Sequence, residues 1–190
     1  MVRTVVGGLL GGFALYVIRF IFWGTPLSAL AFHRAGEAPS ANLQAALAQA
    51  LTPTGTGVYI IPDPASAEGT VLYGKGPVAT VFYNVSGFPV TDSAALIGGL
   101  ILALVVGLVI AFALRFTAAD FGNRARIAVL FALAAVLWLD LAQAVFNHVP
   151  SGHILYLAFG DFIALAAGGL IAAKLMESGA VTTSEAGTLH

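Results

Sequence analysis

The sequence predicts an all-α transmembrane bundle of four spans, with a small α+β extracytoplasmic cap between the first two. Three observations carry this. Of the 190 residues, 59% are apolar and 9% charged, against roughly 45–50% and about 25% in an ordinary soluble domain; mean hydropathy is +0.94. Four stretches reach the length of about 20 apolar residues that crosses a hydrocarbon core of about 30 Å. Between the first and second stretch, Pro, Gly, Ser and Thr become frequent. These figures exclude a soluble globular enzyme and a disordered chain. A formal net charge of -1 offers no basic field to phosphates, so no nucleic-acid partner is expected. With no cysteine, disulfides, thiolate metal sites and cysteine nucleophiles are excluded.

The spans are expected over 5–23, 94–114, 127–146 and 154–173. The chain then divides into a first span (1–23), a cap (24–93), spans two to four (94–176) and a tail (177–190). The tail lacks a packable apolar stripe and is expected to be mobile. Short connections make the third and fourth spans antiparallel neighbours. After four crossings Arg3, Arg115, Arg124, Arg126 and Lys174 fall on one side, and Arg34 and Lys75 on the other. Lys and Arg mark the cytoplasmic side, so both termini are expected there and 24–93 and 147–153 face outward. Arg3 and Ala29-Leu30-Ala31 mimic a signal peptide, but the apolar stretch is too long and Arg19 interrupts it, which predicts an uncleaved anchor. Tyr16, Phe20, Phe22 and Trp23 form an interfacial aromatic belt, and Trp138 lies deeper.

In the cap, Pro26, Pro39, Pro53, Pro62, Pro64 and Pro77 mark turns. Leu43, Ala46, Leu47, Ala50 and Leu51 fit a period of about 3.6 and predict a helix over 41–51, with Ser40 as N-cap. Strands are predicted over 57–61, 70–73 and 78–85, with Gly-Lys-Gly-Pro at 74–77 turning between the last two. A unit this small is marginal alone and is expected to pack on helix ends or on a partner. Its strand edges are either covered within the cap or open to a partner strand.

The strings 57–64 (Gly-Val-Tyr-Ile-Ile-Pro-Asp-Pro), 75–79 (Lys-Gly-Pro-Val-Ala) and 172–175 (Ala-Ala-Lys-Leu) resemble an uncharacterised bacterial family of four-helix inner-membrane proteins with a comparable cap after the first span. The resemblance implies an architecture and a bacterial inner membrane. It implies no activity and transfers no functional residue.

Inside the spans, small residues recur at helical spacing. Gly7, Gly8, Gly11 and Gly12 make two overlapping GxxxG pairs, Gly98, Gly99 and Gly107 mark the second span, and Gly160, Ala164, Gly168 and Ala172 stripe the fourth. Such faces let backbones approach closely. They predict either tight packing within one bundle, with Gly8, Gly12, Gly160 and Gly168 as packing residues, or a first helix that docks on another subunit.

Charges within spans are costly, about 2.5–3.5 kcal/mol on insertion scales, and face a protein interior. Three are predicted: Arg19, Asp140 and Asp161. At 1.5 Å per residue, Arg19 lies about 6 Å, and each aspartate about 10 Å, from the outer helix ends. Arg19 continues the stripe of Gly8, Gly12 and Leu15, and Asp161 shares one with Ala164 and Gly168. Gln143, Asn147 and His148 make a polar line from Asp140 to the outer face. A buried cluster is expected in which Arg19 pairs with one or both aspartates. It is either a lock between three helices or, with one excess negative charge, a protonatable or cation-binding site.

His33, His148 and His153 are candidate metal ligands near Asp140 or Asp63, at a spacing matching no established motif; surface histidines are the alternative. No histidine lies within a span to hold haem. Ser151, His148 and Asp140 lack a nucleophile elbow, and P-loop and dinucleotide fingerprints are missing. No catalytic residue and no cofactor is therefore expected. The leading expectation is a non-enzymatic accessory or scaffold subunit in the bilayer, binding another membrane protein or a second copy of itself. The alternatives are a small proton- or cation-coupled transporter using Arg19, Asp140 and Asp161, or a lipid- or metal-binding membrane protein.

Overall fold

A computed structural model describes residues 1–117 and 120–177; the tail expected to be mobile lies outside the described residues. The elements are α1 (Val2–Trp23), a 3-10 helix (Pro26–Leu30), α2 (Glu37–Leu51), β1 (Gly57–Ile61), α3 (Ala67–Lys75), β2 (Ala79–Tyr83), α4 (Ser93–Arg115), α5 (Phe121–Leu139), α6 (Leu141–Phe146) and α7 (Ser151–Glu177). Four helical stretches are long and apolar enough to cross a membrane. They are α1, α4, α5 continued by α6, and α7, with mean hydropathies of 2.0, 2.9, 2.1 and 2.0. The chain forms two compact units. One is Met1–His33 with the chain from Ser93 onward; the other is Arg34–Asp92.

In the first unit, glycine decides which helices touch. Gly8 and Gly12 turn to α4: a Cβ on Gly8 would stand 2.8 Å from Leu108 Cα, and one on Gly12 2.8 Å from Leu104 Cα. Gly107 answers from α4, where a Cβ would run into the backbone of Gly8 and Gly12. Gly7 and Gly11 turn to α7, where a Cβ on Gly7 would lie 3.2 Å from the Ala172 carbonyl and one on Gly11 would strike the Gly168 carbonyl. Both GxxxG pairs of α1 are thus occupied by helices of the same chain. α5 packs on α7, where a Cβ on Gly169 would be 2.7 Å from Ala128 Cβ, and touches α4 little. The buried cluster is Ala111, Leu114, Ala128, Ala172 and Ala173, with Phe121, Ile127 and Met176 packed on it. Among the described residues, no large side chain is fully buried, whereas Phe131 is 73% and Trp138 69% exposed. Small residues inside and large apolar ones outside invert the soluble pattern.

The third span is not one helix. It breaks at Asp140, which closes α5 by donating its N–H to the Val136 carbonyl at 3.0 Å and starts α6 by accepting from Gln143 N at 3.0 Å. Aspartate is among the weaker helix formers, because its side chain competes for backbone hydrogen bonds. The expected cap boundary at residue 24 also moves. Residues 24–33 belong with the bundle: Thr25 caps the 3-10 helix, accepting from Leu27 N at 3.3 Å, and Phe32 meets Trp23 edge-on at 5.9 Å.

In the second unit, β1 and β2 pair antiparallel, with Gly57 opposite Tyr83, Tyr59 opposite Val81 and Ile61 opposite Ala79. The Tyr59 and Tyr83 rings lie 6.3 Å apart, and their hydroxyls meet Thr54 at 2.8 Å and Thr52 at 2.7 Å, which ties the pair to the end of α2. The opposite face, with Val58, Ile60 and Phe82, is exposed. The strand expected over 70–73 is helical, within α3. Ser66 Oγ accepts from Gly69 N at 2.9 Å, Glu68 sits in the first turn and Lys75 in the last; this capping outweighs the β-propensity of Thr70, Val71 and Tyr73. Gly76, at φ 67°, ends α3 where a side chain would be strained. α2 begins at Glu37, with Gly36 and not Ser40 as its N-cap. Pro39 fits that first turn, where no backbone N–H is needed.

Candidate functional site

Aromatic contacts near the Trp23 end of α1 set its register against α7. Tyr156 Oη donates to the Phe22 carbonyl at 2.6 Å. The Phe22 ring meets Tyr156 and Phe159 edge-on at 5.6 and 6.0 Å. Gly160 makes room for it, since a Cβ there would stand 3.0 Å from Phe22 Cδ1. Trp23 packs edge-on against Tyr156 at 5.4 Å, and His153 Nδ1 lies 3.0 Å from the Ala31 carbonyl. Five residues beyond Tyr156, about 7.5 Å along α7, Asp161 meets Arg19.

Arg19 Nη1 and Asp161 Oδ1 form an ion pair, each buried against the other. The guanidinium also lies 5.6 Å from the Trp23 ring centroid, a cation–π distance. The side chains stay 36% and 23% exposed. That exposure opens on a cavity of about 590 Å³ between α1, α4 and α7. Arg19 and Asp161 supply its charge, Tyr16, Phe20 and Trp23 its aromatic wall, and Gly99 the low point of α4. Volumes of about 300–1,000 Å³ are usual for small-molecule sites. The remaining guanidinium donors and second carboxylate oxygen present opposite charges to one space.

Of the three charges expected to cluster, the structure brings two together. Asp140 makes no ion pair with Arg19 and does not line the cavity. The helix break places it at the α5–α6 joint instead of on a continuous face. The polar line closes on itself: Asn147 Nδ2 donates to Gln143 Oε1 in a short hydrogen bond, and both residues are exposed. His148 is exposed at φ 52°. His153 contacts backbone, and among the described residues no three His, Asp or Glu gather as a metal would require, so His33, His148 and His153 do not converge. Gly8, Gly12, Gly160 and Gly168 all lie at close helix contacts. Sequence reasoning missed Tyr156 and the width of the cavity. The available signal was Gly160 beside Asp161, a gap opposite the aromatic end of the first span.

Comparison of the chain with family models, curated proteins and solved structures finds no match.

Proposed function

We propose that this is a multi-pass membrane protein that holds an amphiphile with a zwitterionic head, of the phospholipid kind, in the cavity beside Arg19 and Asp161. The observation that carries the reading is the ion pair's incomplete enclosure. A lock needs both ions closed off by packing, but here donors and an acceptor face a cavity walled by aromatic rings. Within hydrocarbon, such groups demand a polar partner. A phosphate suits the free guanidinium N–H groups. An ammonium suits the second Asp161 oxygen and the faces of Tyr16, Phe20 and Trp23.

Membrane residence is supported by the small-residue interior and outward large apolar chains. The Lys and Arg distribution supports an orientation with both termini in the cytoplasm and the cavity toward the outer leaflet, and the resemblance supports a bacterial inner membrane. The transporter reading loses the excess negative charge on which it stood, because Asp140 lies outside the cavity. The accessory-subunit reading loses the glycine faces of α1, which this chain fills itself. It retains one observation, the bare sheet face of Val58, Ile60 and Phe82.

Native mass spectrometry from mild detergent tests the proposal. The expected result is one amphiphile retained per chain, and its loss from a folded Arg19→Gln/Asp161→Asn variant. A bare wild-type chain, or an adduct unchanged in the variant, rejects it; a co-purifying second polypeptide favours the accessory reading.

A further inference from the structure

A second cavity, of about 620 Å³, lies between α4 and α5 with Leu165 of α7 as its floor. It exists because α5 packs on α7 and stands off from α4. Its walls are apolar side chains such as Val109, Phe131, Ala132 and Ala135, with Thr117 at the far end. It therefore offers almost nothing to a polar group.

Two facts tie it to the first cavity. Val106 and Leu165 line both, so these two side chains are the neck between them. The cavities also occupy successive stretches of α4. The charged one runs from Ala95 to Val106 and the apolar one from Val105 to Thr117. The apolar stretch is about 18 Å long at 1.5 Å per residue, close to the roughly 15 Å of one leaflet's hydrocarbon. The polar head site and the apolar cleft thus follow one another along α4, with Val106 and Leu165 at the boundary between them.

We infer that the cleft between α4 and α5 is the tail site of the ligand held at Arg19 and Asp161, which makes that ligand a long-chain lipid whose hydrocarbon passes beneath α4 at Val106 and Leu165. This rests on the amphiphile reading above and adds the chain's path. Small side chains hold the path open: Ala132 and Ala135 face it from α5 and Ala103 borders the head cavity from α4, where bulk would close it.

The test uses the full-length protein in lipid nanodiscs and two photoreactive lysophosphatidylcholines with a diazirine at the chain end, one decanoyl and one stearoyl, followed by peptide mapping. The decanoyl probe is expected to label the neck, at Leu102, Val106 or Leu165. The stearoyl probe is expected to label the cleft, at Val109, Ala132 or Ala135. Arg19→Gln/Asp161→Asn abolishes both labels. Val109→Trp, or Ala135→Phe as a milder plug, fills the cleft away from the head cavity, abolishes cleft labelling and spares decanoyl labelling. Stearoyl label spread over outward residues such as Leu130 and Phe159, with neck labelling intact, overturns the tail site and leaves the head site standing. Cleft labelling that persists in Arg19→Gln/Asp161→Asn identifies an ordinary surrounding lipid and also overturns the inference. No specific label from either probe overturns the head site itself.

Discussion

α4 treats two of its neighbours differently. Against α1 it closes to backbone contact, because Gly8, Gly12 and Gly107 leave nothing between the helices. Against α5 it leaves a cleft, because Val105, Val109 and Phe131 keep the backbones apart and α5 is held by α7 instead. The hydrophobic effect cannot tell these contacts apart in lipid, which solvates valine and leucine as well as a neighbouring helix does. Residue size makes the difference. Where both helices offer glycine the bundle is zipped, and where neither does it has space.

Added bulk separates the two contacts of α4 most strongly. Gly12→Leu and Gly107→Leu force a side chain into backbone that cannot rotate away. They are expected to cost about 3 kcal/mol or more, above the usual overpacking range. Ala135→Leu places similar bulk in the cleft and is expected to stay within about 1 kcal/mol. Thermal unfolding in detergent measures both, and equal losses would contradict the comparison.

The two aspartates form a second contrast, smaller in effect. Asp161→Asn leaves Arg19 without its partner. Breaking a fully buried pair costs about 3–5 kcal/mol; with side chains 36% and 23% exposed, about 1–3 kcal/mol is expected. Asp140→Asn is expected to change stability by no more than about 0.5 kcal/mol. A double-mutant cycle should give an Arg19–Asp161 coupling above about 1 kcal/mol and an Arg19–Asp140 coupling below about 0.5 kcal/mol. Tyr156→Phe removes the bond to the Phe22 carbonyl and is expected to cost about 0.6–1.5 kcal/mol. Smallest for the bundle is Ser66→Ala. It loosens α3 by about 1 kcal/mol, read as faster amide exchange over 67–75 with the bundle's unfolding temperature unchanged.

Much of the architecture was legible in the sequence, because span length and apolar run follow directly from hydrocarbon thickness. All four long apolar stretches overlap their expected positions, the third starting six residues early at Phe121 and broken at Asp140. The cap was harder. Thr70 to Tyr73 has strand-like side chains, and only the Ser66 cap turns it into helix. At the site, stripes of i and i+4 residues placed Arg19 and Asp161 correctly on facing helices. Asp140 was misplaced by the same logic, since helical periodicity assumes a helix and this residue interrupts one. The cavity was not legible, because it depends on how far α4 diverges from α1 and α7, a tertiary quantity that no single span encodes.

The protein's own indoles report directly on lipid beside Arg19 and Asp161. It has two tryptophans; Trp23 lines the charged cavity, and Trp138 is exposed on α5. In a Trp138→Phe variant, Trp23 alone reports, and a lysophosphatidylcholine brominated near its head is titrated in at low mole fraction. Quenching is expected to saturate at one lipid per chain and to turn linear in Arg19→Gln/Asp161→Asn. Quenching that rises in proportion to probe concentration in both proteins would contradict the head site.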